Sequence, residues 1–378
     1  MLNIDGALKA ALGDVPGAVG LVASADEVLY TGAFGSRDVG SGEAMTTDTV
    51  FRIASMTKLA TSLAALQLVE RGSVDLDTPV GDVIAAFDEL PVLDGFDGDE
   101  PKLRPPTARA TVRHLLTHTS GLGYPTWHPA LFRYHELTGA PTTATGLLAS
   151  FGVPLVADPG TEFIYGTSTD WLGLVVEALS GQALDVYFGE HLFEPLGLVD
   201  TTASPTAEQR ARCAPVHILD DGQWVSSDAD NVRGPEFWAG GHCLYSTPVE
   251  YVKLQQLLLR GGESAGERIL RAETVEQMFA NQIGGIVIHP FESFLPRVSA
   301  SFDLGPGHKW GLGLLLNTRR EPGLRPAGSG GWAGVYNTFF WVDRTNGITA
   351  AFYTQTLPFY DGQVIDAYRN FERAVYAA

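Results

Sequence analysis

From Leu59 to Val69 the chain reads Leu-Ala-Thr-Ser-Leu-Ala-Ala-Leu-Gln-Leu-Val, apolar or small on nearly every side of a helix. A helix with one apolar stripe can lie on a surface, but one that is apolar all round has to be buried. The run therefore demands protein on all its flanks. The 378 residues, 45% hydrophobic and 18% charged, suffice for one large or two interleaved domains with a substantial core. The pattern predicts a helix from Ser55 to about Glu70, fed by the short apolar run Val50 to Ile53 and stopped by Arg71-Gly72. One charge stands inside it, Lys58, and a lysine on a buried helix needs a reason.

The flanks predict what buries this helix. Met1 to Asp14 reads as a short amphipathic helix, and Ala18 to Phe34 as a β-hairpin turning at Ala-Asp-Glu. Strand-like runs return at Trp310–Leu316, Val335–Val342 and Ile348–Thr354, before a closing helix near Asp361–Tyr376. Between Asp75 and Ala239, proline and glycine loops separate helical pieces at Thr111–Thr117, Thr169–Ser180 and Ala183–Leu192. Two more helices, Val249–Leu259 and Ala272–Ala280, follow Pro248. Strands at both ends with helices between them imply an α+β fold. Residues 1–74 and 240–378 would form an antiparallel sheet domain flanked by helices, around a mostly helical inserted domain at 75–239, with a site at the junction.

Charge narrows the partners. Lys and Arg total 25 against 44 Asp and Glu, a net charge of −19 that repels phosphate backbones and anionic membranes. No run approaches the ~18 apolar residues of a membrane span, and no basic-then-apolar leader precedes the first helix. The expectation is a cytoplasmic protein that binds neither nucleic acid nor membrane. Cys213 and Cys243 are too few for a disulfide scaffold or a zinc cluster and read as small buried hydrophobes.

Chemistry concentrates at Ser55-Met56-Thr57-Lys58. Residues i and i+3 share a helix face, so the lysine nitrogen can reach the serine hydroxyl. The helix N-terminus favours a developing alkoxide. Serine is a weak nucleophile until a base takes its proton, and burial favours the neutral amine that can do so. Of the five lysines, Lys58 alone has serine three residues before it. Gly262-Glu-Ser264-Ala-Gly266 spells a rival Gly-x-Ser-x-Gly, but that motif needs a strand before it and a helix directly after. Here a helix precedes it, so Ser264 belongs to a turn. His114 and His118 stand four apart as metal ligands might, yet no third ligand is evident. The glycines at Gly328–Gly331 lack the Gly-Lys-Ser/Thr of a phosphate cradle.

Phe51-Arg-Ile-Ala-Ser-Met-Thr-Lys58 resembles the nucleophile segment of the class C β-lactamase and penicillin-binding-protein-like serine hydrolases. His114-Leu-Leu-Thr-His-Thr-Ser-Gly-Leu122, Tyr165-Gly-Thr-Ser168 and Gly240-Gly-His-Cys-Leu-Tyr-Ser-Thr-Pro248 are similar to further signatures, in family order over most of the chain. The resemblance implies a β-lactamase/transpeptidase-like fold with Ser55, Lys58 and Tyr165 as catalytic residues and no cofactor. Tyr165 would shuttle a proton among nucleophile, leaving group and attacking water, its phenolate favoured by Lys58 nearby.

Two departures matter. Thr167 stands where β-lactamases carry the asparagine that contacts an amide side chain, and the Lys-Thr-Gly strand motif is missing. Gly328-Ser329-Gly330 and Trp332-Ala333-Gly334 are alternative registers for it. The second is preferred, because it resembles the family VIII carboxylesterase branch. Neither keeps a cation for a substrate carboxylate. In that register the backbone N–H groups of Ser55 and Val335 would form the oxyanion hole, with Gly334 admitting substrate to the strand edge. Tyr124, Trp127 and Trp238, with Trp332 at the mouth, would wall an apolar acyl pocket holding Thr167. The chain thus reads first as a carboxylesterase for short-chain neutral esters acting through a Ser55 acyl-enzyme. An acyltransferase on the same machinery is the alternative, then a β-lactamase or D-amino-acid peptidase.

Overall fold

The computed structural model describes residues 4–227, 235–264 and 266–377. Helix α1 (Ile4–Ala11) leads into strands β1 (Gly17–Ser24), β2 (Val28–Asp38) and β3 (Glu43–Ala44), and the chain then turns into α2 (Thr57–Glu70). Helices α3 (Val112–Leu116), α4 (Ser168–Ser180) and α5 (Pro248–Leu259) follow. The chain returns through β4 (His308–Trp310), β5 (Leu315–Asn317), β6 (Gly330–Gly334), β7 (Thr338–Asp343) and β8 (Ile348–Tyr353) to the closing helix α6 (Gly362–Tyr376).

These strands make one eight-stranded antiparallel sheet in the order β4-β5-β6-β7-β8-β1-β2-β3, so strands from both ends of the chain meet at its centre. Val19 of β1 lies opposite Tyr353 of β8. Every residue of β1 up to Ala23 is buried, which is why its sequence is continuously apolar rather than alternating. Ala18 and Val22 face one core with Leu8 of α1 and Phe371 of α6. A Cβ on Gly20 would come within 3.0 Å of both helices' side chains, so glycine is what lets them seat on the strand. On the other face Leu21 and Ala23 meet Val252 of α5.

Helix α2 is buried from Thr57 to Leu68, as its composition demands. It shares one core with Phe340 and Tyr353 of the sheet and with Trp171, Leu172 and Val175 of α4, and so lies between sheet and inserted segment. This is the α+β architecture expected of the sequence, an antiparallel sheet flanked by helices.

Three local expectations need correction and one needs an addition. The addition concerns the segment 75–239, read as mostly helical, which also holds the hairpins Val92–Asp97 with Glu100–Arg104, and Val216–Asp220 with Gln223–Ser227. The second turns at Asp221-Gly222, both at positive φ, the Asp-Gly pair favoured in two-residue hairpins. The run Trp310–Leu316 is two strands folded back at Gly311–Leu314, with Gly313 at φ +84°. Val335–Val342 is likewise interrupted, because Asn337 at φ +60° closes a turn joining β6 to β7. The cysteines are free and half-buried rather than enclosed.

Candidate active site

Ser55 is half-buried in a single 3-10 turn, Ala54–Met56, that precedes α2 instead of lying on it. Ala54 holds φ +42°, a left-handed conformation that costs a residue with a Cβ of order 1 kcal/mol. Neighbouring segments hold the turn in place. The Tyr251 hydroxyl donates to the Met56 carbonyl at 2.8 Å, and the Leu244 N–H donates to Thr57 Oγ1 at 3.1 Å. One residue into α2, the Lys58 side chain is 2% exposed and its Nζ lies 3.0 Å from Ser55 Oγ. The amine has two other acceptors, the Gly241 carbonyl at 3.0 Å and the Tyr124 hydroxyl at 3.4 Å.

Tyr165 is buried beside this pair, with Lys58 Nζ 4.9 Å from its ring centroid. Its hydroxyl accepts from Trp332 Nε1 at 3.0 Å. The phenol that Lys58 reaches by hydrogen bond is therefore Tyr124, while Tyr165 turns its ring to the amine and its oxygen to Trp332. Rings of Trp332, His118, Tyr124 and Trp127 surround Tyr165 with centroids 4.8–5.6 Å away. Burial, reinforced by Asp170, pushes the Tyr124 phenol well above its ordinary range. Burial and the nearby Lys58 push His118 well below its ordinary value, leaving it neutral.

Of the two registers, Trp332-Ala333-Gly334 lies against the turn that carries Ser55. A Cβ on Gly334 would fall 2.4 Å from the Ile53 carbonyl oxygen, on the turn that carries Ser55. Gly330 instead abuts Phe279 and Leu314, and Gly328 bonds back to Asn317. Val335 follows β6 directly into the turn at Asn337.

Thr167, at the start of α4, and Tyr124 line a small open cleft together with Leu122, Pro141, Phe151 and Trp171. Its lining holds no Asp, Glu, Lys or Arg. Trp127, Trp238 and Trp332 are not part of this lining. Trp127 packs with Phe291 and Phe302 and donates from Nε1 to Ser299 at 3.2 Å, while Trp238 packs on the core around α2. Trp127 nonetheless meets Tyr124 and Tyr165 ring to ring, and Trp332 meets Tyr165.

Among the rejected candidates, His114 accepts from the Thr111 N–H and so caps its own helix α3, whereas His118 is packed against Tyr165. Among the described residues no group of His, Cys, Asp and Glu could hold a metal ion, and no helix is long and apolar enough to cross a membrane. Ser264 sits in a small hairpin, Glu263–Ser264 against Glu267–Arg268, with Ala265 outside the described residues.

Asp170 escaped the sequence reading except as a helix-starting residue. It is fully buried in the first turn of α4, accepting from the Gly241 N–H at 2.9 Å and the Tyr124 hydroxyl at 3.4 Å. The available signal was a carboxylate followed at once by Trp-Leu-Gly-Leu-Val-Val, on a helix with little polar face.

A serine hydrogen-bonded to a buried amine one turn away is equipped for acyl transfer to and from the serine oxygen. The chain is an enzyme of the serine hydrolase class. It belongs to the β-lactamase family, which it matches over residues 4–374. It is 33% identical to monacolin J acid methylbutanoyltransferase of Aspergillus terreus (strain NIH 2624 / FGSC A1156) over 96% of this chain and 92% of that one. It is 31% identical to lovastatin esterase of Penicillium rubens over 96% and 95% of the two chains. Among solved structures, a mutant of simvastatin synthase from Aspergillus terreus superposes with a TM-score of 0.84 at 31% identity, covering 99% of this chain and 96% of that one.

Proposed function

We propose that this protein is a serine acyltransferase that moves a small acyl group from an activated ester or thioester to the hydroxyl of an apolar small molecule. The sequence alone ranks hydrolysis of short neutral esters first and transfer second. Near-full-length kinship with a methylbutanoyltransferase reverses that order, and it is the observation that carries the proposal. The cleft that Tyr124 lines supports it, because its lining holds no Asp, Glu, Lys or Arg and Tyr124 links it to the Lys58 amine, so an apolar acceptor is favoured over a charged one on this side of the site.

Ser55 Oγ attacks the donor carbonyl while Lys58 Nζ takes its proton. The tetrahedral oxygen is held by the N–H groups of Ser55 and Val335. The intermediate collapses, and the proton that Lys58 took passes through the Tyr165 hydroxyl, oriented by Trp332, to the leaving group, which leaves the amine neutral again. The acceptor hydroxyl then loses its proton to the regenerated base and attacks the Ser55 ester, releasing the product and restoring the serine. Gly334 admits substrate to the end of β6, and Thr167 borders the acceptor. Trp127 and Trp238 shape the site from the two cores on which they pack. The segment 75–239 supplies the cleft as a separate inserted domain.

A second reading, carboxylesterase, is favoured by the 31% identity to lovastatin esterase. One experiment separates them. p-Nitrophenyl butyrate is turned over with and without a panel of apolar secondary alcohols, and the products are resolved by mass spectrometry. Transfer predicts butyrate esters of an alcohol at millimolar concentration, formed faster than free butyrate. Butyrate alone with every alcohol supports the esterase. Ser55→Ala should abolish both products.

A further inference from the structure

A buried carboxylate is costly unless something near it uses the charge. Asp170 is fully buried and accepts hydrogen bonds from one backbone N–H and one phenol. That phenol, Tyr124, is also the acceptor for Lys58. We propose that Asp170 is a positioning residue that aims the lone pair of Lys58 at Ser55 by dictating the direction of the hydrogen bonds between them. The inference rests on the Ser55–Lys58 assignment above.

The argument is a count of donors and acceptors. Tyr124 donates its single proton to Asp170, so it can only accept toward Lys58. The Gly241 carbonyl also only accepts, and its place is set by the same carboxylate through the Gly241 N–H. In the neutral form that a general base requires, the Lys58 amine has two N–H bonds and one lone pair. With both hydrogens drawn to Tyr124 and Gly241, the lone pair has one partner left, the hydroxyl of Ser55 at 3.0 Å. That is the orientation a general base requires.

Asp170→Asn keeps the shape and reverses one bond. Oδ1 must still face the Gly241 N–H, so the amide NH2 turns to Tyr124 and donates to it. The Tyr124 proton is then released toward Lys58, where it competes with Ser55 for the lone pair. Tyr124→Phe removes that competitor. The two substitutions should therefore not add.

The test is the rate of Ser55 acylation by p-nitrophenyl butyrate in the full chain, followed as the p-nitrophenol burst, with thermal melts to verify folding. Asp170→Asn should slow acylation at least tenfold with KM within twofold. Tyr124→Phe should lose less, and the double variant should be no slower than Tyr124→Phe alone. Gly241→Ala is the independent arm, because a Cβ there would lie 2.9 and 3.0 Å from the two Asp170 oxygens and displace the carboxylate without deleting it. It should show the same loss at constant KM. Acylation within twofold of wild type in a folded Asp170→Asn or Gly241→Ala overturns the proposal, as does a double variant whose loss is the product of the single losses. Those results alongside an inactive Ser55→Ala leave the nucleophile standing. Turnover surviving in Ser55→Ala overturns both.

Discussion

Gly334→Ala offers a direct probe of where charge develops. A Cβ at this position would lie 2.4 Å from the Ile53 carbonyl oxygen and 2.4 Å from Thr338 Oγ1, against ordinary contacts of 3.4 Å or more. The threonine oxygen can rotate away, but the Ile53 carbonyl is backbone on the turn carrying Ser55. The end of β6 and that turn must therefore separate by roughly 1 Å. Overpacking of this kind costs about 1–3 kcal/mol, a fall of a few degrees in Tm. The catalytic loss should be larger. A donor displaced by ~1 Å no longer meets the tetrahedral oxygen, and losing one such donor costs about 100-fold or more. The expected outcome in steady-state hydrolysis of p-nitrophenyl butyrate is a kcat lowered about 100-fold with a much smaller change in KM. Gly331→Ala, where a Cβ would fall 2.2 Å from the Phe340 carbonyl, loads the same strand farther from the nucleophile and controls for stability alone. A folded Gly334→Ala with kcat within threefold of wild type would refute the oxyanion hole between Ser55 and Val335.

Other perturbations follow from single contacts. Trp332→Phe deletes the 3.0 Å donor to the Tyr165 hydroxyl, worth about 1 kcal/mol, so kcat should fall about fivefold while KM holds; an unchanged kcat would mean that Trp332 does not orient Tyr165. Arg325→Ala strands the Glu372 carboxylate, whose side chain is 4% exposed, and should cost about 3–5 kcal/mol in urea unfolding. Burial by itself would push Glu372 up, but Arg325 outweighs it and holds the carboxyl below its ordinary range. Its stabilisation is thus complete above the unfolded glutamate value and lost as pH falls through the lower folded one, so Glu372→Gln should flatten the decline of Tm below about pH 4. His118 is held neutral in the fold, whereas the unfolded chain binds its proton below about pH 6.5. Stability should therefore drop as pH falls from 6.5, and His118→Phe should reduce that drop in a Tm series from pH 7 to 5.

What could be read in the sequence divides along the range of the interactions. The burial of α2 is written in its own composition, and Ser55 with Lys58 in helix geometry, so both were legible within a dozen residues. The closing strands were legible as apolar runs but not where they break, because the breaks rest on single residues, Gly313 and Asn337, whose positive φ a hydropathy pattern does not record. The Asp221-Gly222 hairpin was legible in principle and was lost among helical neighbours. Tyr165 and the Trp332 register came from the order of family signatures. That order says which segments converge but not which atoms meet, and Tyr165 accordingly lies at the amine with its hydroxyl bonded elsewhere. The remaining partners of Lys58 come from 66 and 183 residues along the chain, and neither Tyr124 nor Gly241 carries a local mark of that meeting. Asp170 is the residue that makes the convergence intelligible, since it bonds to both. A helix can place a base beside a nucleophile by sequence spacing alone, but orienting that base takes acceptors from distant segments, and a common anchor for those acceptors becomes visible only when the fold brings them together.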